Sequence, residues 1–374
     1  MTDDLKKYRR ELHQIPELGF DLFLTSKYIQ NELIQMGYTP RQMAKTGWVI
    51  HKDGLSKEAI LFRTDMDALP VKEETGTDFI SKHHGKMHAC GHDGHMAMML
   101  GFAKFIAKQK ELKKTVVMIF QPAEEGPGGA KVMIEEGLFD LYDIKAVYGI
   151  HLYPGLTEGL YGLVDGPMMA QNGEFDITIT GKSSHGAQPH LGDDAMIAAS
   201  QLIQGYQTII SRKVNPLDSV VITIGTIHGG QARNIIAQNV SLSGTMRAFK
   251  TDVYLKVKQW MHQIDRGIEM QYAVKIDNHI EDYYPPVTND HTLFENLRNS
   301  LSRDQYQMIE PMTVSEDFAF YQQKVPGVFV MLGSRNEEKG YVHPLHSCYF
   351  NFDEKILLKG VELYKHILHI HHVI

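Results

Sequence analysis

The chain has 374 residues, more than one core usually keeps growing to, so two domains are the expectation. Its 38 basic and 45 acidic residues give a net charge of -7 with no long basic run, which argues against nucleic acid or an anionic membrane as partner and for a small molecule. The two cysteines, Cys90 and Cys348, form neither a disulfide framework nor a closed zinc knuckle; with no apolar leader and no run of about 18 apolar residues, the chain reads as soluble and cytoplasmic.

Apolar residues recur at helical spacing over residues 5–13 and 25–36, separated by a turn at Pro16-Glu17-Leu18-Gly19. Residues 48–50 and 59–62 read as short strands, and the second runs into Asp65-Met66-Asp67. In extended chain these aspartates share a face, so two carboxylates emerge at a strand's C-terminal end, where open α/β sheets bind ligands. A solvated acidic loop is the bland alternative.

The densest chemistry lies in His88-Ala89-Cys90-Gly91-His92-Asp93-Gly94-His95. Thiolate and imidazole hold zinc and other first-row divalent ions, and the spacing of Cys90 and His92 can aim both at one point. A His-rich surface loop beside a structural cysteine is the competing reading. Asp93 sits where an N-cap belongs, ahead of an apolar helix over 94–103. Residues 116–120 form a buried strand ending in Gln121-Pro122-Ala123-Glu124-Glu125. Neighbouring glutamates in extended chain face opposite ways, so one can ligate a metal while the other faces substrate. Residues 146–150 read as a strand that delivers His151 at its end.

The texture changes at Gly173. Residues 174–180 alternate with period two, a turn carries His185, and a helix over 195–211, strands over 219–226 and 240–249 and a helix over 252–268 follow. Pro285-Pro286 closes this segment, so the boundaries are a catalytic domain over 1–172, an inserted domain over 173–283 and the rest of the catalytic domain over 284–374. Beyond it, 292–301 is helical, Ser315 caps a helix with Glu316 and Asp317 in its first turn, 328–333 is the last strand, and His343 and His346 follow. The tail over 356–374 is a helix whose His366, His369, His371 and His372 read as a surface face.

Together, Arg-Thr-Asp-Met-Asp-Ala-Leu-Pro at 63–70, Met-His-Ala-Cys-Gly-His-Asp at 87–93, Gln-Pro-Ala-Glu-Glu-Gly at 121–126, Gly-Ile-His at 149–151 and Leu-His-Ser at 345–347 resemble the M20 metallopeptidase family, and within it the amidohydrolase branch. Arg-Glu-Leu-His-Gln-Ile-Pro-Glu-Leu at 10–18 extends the likeness to the start. The runs 121–130 and 215–247 look closest to the deacetylases of N-acetyldiaminopimelate, although hydrolases of hippurate and of indole-acetyl amino acids share the metal motifs. The likeness is broken at Ser183-Ser184, where two glycines are commoner, and at Cys348, where a proline usually stands.

The resemblance implies an α/β fold: a mixed-sheet, zinc-exopeptidase-like catalytic domain and a smaller inserted α+β, ferredoxin-like lid and dimerisation domain. It implies two divalent metal ions (Zn, Mn, Co or Ni) on Cys90, His92, Glu125, His151 and His346, with Glu124 as general base and Asp65 or Asp67 as supporting aspartate. His185 would complete an oxyanion site across a homodimer or after closure. For an N-acyl amino acid substrate, Arg247, or else Arg233, is the guanidinium suited to a carboxylate, and Asn234 could bond the same group. The competing class is a non-catalytic dimeric metal-binding module; Glu124 argues against it, since a binding protein needs no base beside its ligands.

Overall fold

The computed structural model describes Met1–Ile374. The chain divides into one unit of Met1–Gly166, Thr288–Glu310 and Asp317–Ile374, and another of Pro167–Val287 and Pro311–Glu316.

In the first unit, consecutive apolar residues make central strands, because a strand covered on both faces has no polar side to show. Lys114–Gln121 is buried from its second residue onward, and Gly327–Arg335 in all but its last. An eight-stranded mixed sheet runs in the order Arg41–Met43, Gly47–Lys52, Lys114–Gln121, Ser56–Asp65, Asp143–Thr157, Gly327–Arg335, Tyr161–Leu163, Tyr306–Met308. Its four long central strands are mutually parallel. Helix His92–Ala107 is buried almost all round, as a helix apolar on every face must be. Helices Thr2–His13 and Leu357–Ile370 pack on it, and their apolar faces share its core. Glycine is required where elements meet closely: a Cβ on Gly94 would lie 2.7 Å from the Phe352 ring.

The second unit runs strand Gln171–Thr180, helix Ala195–Arg212, strands Val220–Gly229 and Asn239–Ala248, helix Thr251–Tyr272 and strand Lys275–Asp282. The four strands are antiparallel, with Gln171–Thr180 and Asn239–Ala248 central. This βαββαβ order is the ferredoxin-like arrangement, so the expected class, a mixed α/β sheet with a smaller α+β unit, is the one found. Alternate residues of Gln171–Thr180 are buried, joining Phe175, Ile177 and Ile179 to Leu202, Tyr206, Val257 and Met261. Asp194 caps its first helix, accepting from the backbone N–H of Met196 and Ile197.

Four local expectations are corrected. His151 does not end its strand, which continues to Thr157, because the partner Gly327–Arg335 runs alongside and pairs Met331 with His151. Asp93 is not an N-cap: the helix starts at His92, after Gly91 at φ 85°, and the buried Asp93 carboxylate is taken by Arg9 and His13. Glu124-Glu125 lie in a turn rather than in extended chain. Ser315 starts no helix; the short helix there is Ala319–Gln322, and Asp317 is drawn inward to Arg63. No helix is long and apolar enough to cross a membrane.

Candidate metal centre and active site

All five residues expected as ligands gather in the first unit. Possible ligand atoms of Cys90, His92 and Glu125 lie within 4.8 Å of one another, as do those of Asp65, His92, His95 and His151. Cys90 Sγ is 3.5 Å from His151 Nε2, and His346 Nε2 is 3.3 Å from Glu125 Oε1. They arrive on separate supports: the loop and first turn of helix His92–Ala107, strand Asp143–Thr157, the turn after Lys114–Gln121, and a late loop. In that loop His346 has φ 66° and donates its backbone N–H to the Ala89 carbonyl.

Hydrogen bonds decide which lone pairs remain. His92 Nδ1 donates to the Asp67 carbonyl at 2.8 Å, leaving Nε2 buried with no hydrogen bond and Asp65 Oδ2 3.8 Å away; Glu125 Oε1 faces the His346 ring at 3.3 Å. His151 Nδ1 donates to the Leu152 carbonyl at 2.7 Å, so its Nε2 presents a lone pair toward Cys90. His92 and His151 thus each have Nδ1 anchored on a backbone carbonyl and Nε2 turned to the cluster, as a metal-ligating histidine does. His95, at the heart of the cluster and not foreseen, is different. Its Nδ1 donates to Asp65 Oδ1 at 2.7 Å and its Nε2 accepts from the Leu152 N–H at 2.9 Å, so neither nitrogen is left for a ligand. Its position three residues after His92 puts both rings on one helix face, a signal the sequence carries.

The electrostatics suit a cation. Burial pushes the Cys90 thiol well up, and Glu125, Glu124 and Asp65 add to it, so a thiolate there needs positive charge beside it. Burial disfavours a charged His92, but Asp65 and Asp67 overcome that and raise it to about 10. Soft sulfur, imidazole and carboxylate donors, with His92 Nε2 buried and making no hydrogen bond, fit divalent first-row ions.

Asp65 and Asp67 support the centre differently. Asp67 accepts the backbone N–H groups of Glu124 and Glu125, each at 3.0 Å, and so shapes the turn that carries both glutamates. Asp65 holds His95 through one oxygen and takes Arg63 at 2.8 Å through the other. Arg63 also donates to Asp317 at 2.7 Å and to Gln121 at 2.9 Å, and the Ala130 N–H donates to Asp317, so a buried guanidinium knits the ends of two strands to the turn ahead of helix Ala319–Gln322. Asp317, expected only as an acid in a helix's first turn, was not foreseen in this role.

The remaining candidates lie in the second unit. His185 and Asn234 are exposed and joined through the main chain: the Gly186 N–H donates to the Asn234 carbonyl at 2.8 Å, and His185 bridges to Ile235. His185 Nδ1 accepts from the Ala187 N–H. Arg247, on strand Asn239–Ala248, is half-buried, its Nη1 lacks a hydrogen bond, and burial lowers its pKa. Arg233 is exposed.

A mostly buried set of thiol, imidazole and carboxylate side chains on a mixed α/β sheet, with Glu124 beside Glu125, is the equipment a metal-dependent hydrolase needs. The profile of peptidase family M20/M25/M40 matches residues 61–370. N-acetyl-L-cysteine deacetylase of Bacillus subtilis (strain 168) is 40% identical over 358 residues, 94% of this chain and 84% of that one. N-acetyldiaminopimelate deacetylase of the same organism is 38% identical over 368 residues, 96% of each chain. The crystal structure of B. subtilis YXEP, described as a dinuclear metal binding peptidase from the M20 family, superposes with a TM-score of 0.87 at 32% identity, covering 100% of this chain and 99% of that one. The chain belongs to family M20, and within it is an amidohydrolase, a hydrolase of amide bonds.

Proposed function

We propose that this amidohydrolase removes the acetyl group from N-acetyl-LL-2,6-diaminopimelate, giving LL-diaminopimelate and acetate. The observation that carries the reading is the end-to-end match to the deacetylase of that substrate, 96% of both chains. The half-buried Arg247, with Nη1 unbonded, supports it, because a guanidinium left without a partner is suited to a substrate carboxylate.

Cys90, His92, Glu125, His151 and His346 hold two divalent ions in this reading. Such ions lower the pKa of water to roughly 7 and polarise the amide carbonyl. Glu124 takes the proton of the attacking water and delivers it to the leaving nitrogen as the C–O bond forms and the C–N bond breaks, so the products are acetate and a free amine. Asp67 keeps Glu124 and Glu125 in register by accepting both their N–H groups. His185 donates to the developing oxyanion, from the same chain or from the partner of a homodimer built on the smaller unit.

A panel of N-acyl amino acids, assayed for acetate or acyl release after chelation and metal add-back, tests this. Preference for N-acetyldiaminopimelate by kcat/KM upholds it; faster turnover of N-acetylcysteine overturns it. The second reading, a broader N-acyl-amino-acid hydrolase, is favoured by the 40% identity to N-acetyl-L-cysteine deacetylase.

A further inference from the structure

The segment Arg-Glu-Leu-His at 10–13 lies away from every candidate ligand in sequence, yet His13 is 2% exposed. Its two ring nitrogens each face a carboxylate: Nδ1 is 2.8 Å from Asp93 Oδ2, and Nε2 is 3.1 Å from Glu73 Oε1. Both carboxylates are themselves almost fully buried. A ring that donates from both nitrogens is the protonated one, and in a dry setting a cation between two carboxylates holds both strongly. Arg9, one helical turn earlier, donates to the same Asp93 oxygen at 3.2 Å.

What lies behind each carboxylate gives the bridge its meaning. Asp93 follows His92 directly in the first turn of helix His92–Ala107. Glu73 ties off the loop over 71–86, accepting from the Thr75 hydroxyl and, at 2.7 Å, from the Ser81 N–H. The adjacent Glu74 donates its N–H to the Cys348 carbonyl at 2.9 Å and accepts from the Tyr349 hydroxyl at 2.6 Å. Those residues are the continuation of the loop that carries His346 at φ 66°.

We propose that His13 is a positioning residue whose imidazolium, clamped between Asp93 and Glu73, couples the helix that bears His92 to the loop that bears His346. It touches neither substrate nor ligand; it fixes how far apart the two ligand-bearing segments sit. The proposal rests on the assignment of His92 and His346 as metal ligands. Arg9 takes a different route: it joins Asp93 to Asn351, Glu354 and the Phe352 carbonyl and does not reach Glu73.

Zn2+ affinity of the metal-stripped full chain, measured by competition with a chromophoric chelator, tests this without recourse to turnover. His13→Gln and Glu73→Gln should each weaken Zn2+ binding by about 10- to 100-fold, the usual cost of losing support behind a ligand. The double variant should be no weaker than the worse single one, because both remove one link. Affinities within about two-fold of the parent, or losses that add, overturn the bridge. Should His13→Gln fail to fold, Glu73→Gln decides alone: Zn2+ binding weakened by about 10- to 100-fold in a chain that still folds supports the bridge, and unweakened binding overturns it. Cys90→Ala separates the two levels. If it loses Zn2+ while the other variants keep theirs, only the bridge fails; if it too keeps full stoichiometry, the ligand assignment fails and the bridge with it.

Discussion

The two units hold their candidate site residues in opposite ways. In the first, Asp65, Asp67, His92 and His95 are at most 1% exposed, and most have more than one partner. In the second, His185 and Asn234 are exposed and held through main-chain pairing. A buried constellation is over-determined, so breaking its hydrogen-bond network is felt in folding and metal binding as well as in chemistry, whereas an isosteric change at the base alone is felt in chemistry. An exposed one can be altered while the fold stays intact, and its contribution should read out in kinetics alone.

The sharpest test of that contrast is Glu124→Gln. It should keep bound metal and fold but lose about 100- to 10,000-fold in kcat, the range for a general base; near-normal turnover would move the proton transfer elsewhere. Next, Asp317→Ala leaves part of the buried Arg63 charge uncompensated, and should cost about 3–5 kcal/mol in urea unfolding of the metal-free chain. An unshifted midpoint would show that the network is not holding the sheet ends. His185→Ala should lower kcat by about 100- to 1,000-fold with little change in KM or melting temperature. If KM alone rises, the residue binds the ground state and the second unit supplies affinity rather than catalysis.

The smallest effect is in pH. Burial opposes charge on His13, but Asp93 and Glu73 outweigh it, and Arg9, and raise it to about 9. His88, whose ring lies 6.4 Å from His13, is pushed down to about 3 by burial and stays neutral. A folded-state pKa raised above the ordinary 6.5 stabilises fully below pH 6.5, and that stability is lost as pH climbs through about 9. The metal-free parent should therefore show a falling melting temperature between pH 7 and 9 that His13→Gln lacks. Parallel curves for both proteins would remove the charged bridge.

Much of this was legible along the chain. Strands over 116–120 and 328–333 announce themselves because burial on both faces leaves no polar alternation. The candidate donors Cys90, His92, Glu125, His151 and His346 sit in short motifs whose chemistry is local. Other parts were hidden for physical reasons. Tyr161–Leu163 and Tyr306–Met308 are three residues each, too short to show a period. His95 is embedded in an apolar helix and looks like core until Asp65 is found facing it. Asp317 resembled a helix-start acid because its partner Arg63 is 254 positions away, and no local pattern reports such a pairing.

That separation also dictates an order of events as the chain is made. Cys90, His92, Glu125 and His151 emerge first, the whole second unit follows, and only afterwards do Asp317 and His346 appear. Contacts of such span are late to form, since the intervening chain must be collapsed before they repay the entropy of closing it. During synthesis the nascent chain therefore carries four of the five candidate donors well before His346, the fifth, exists.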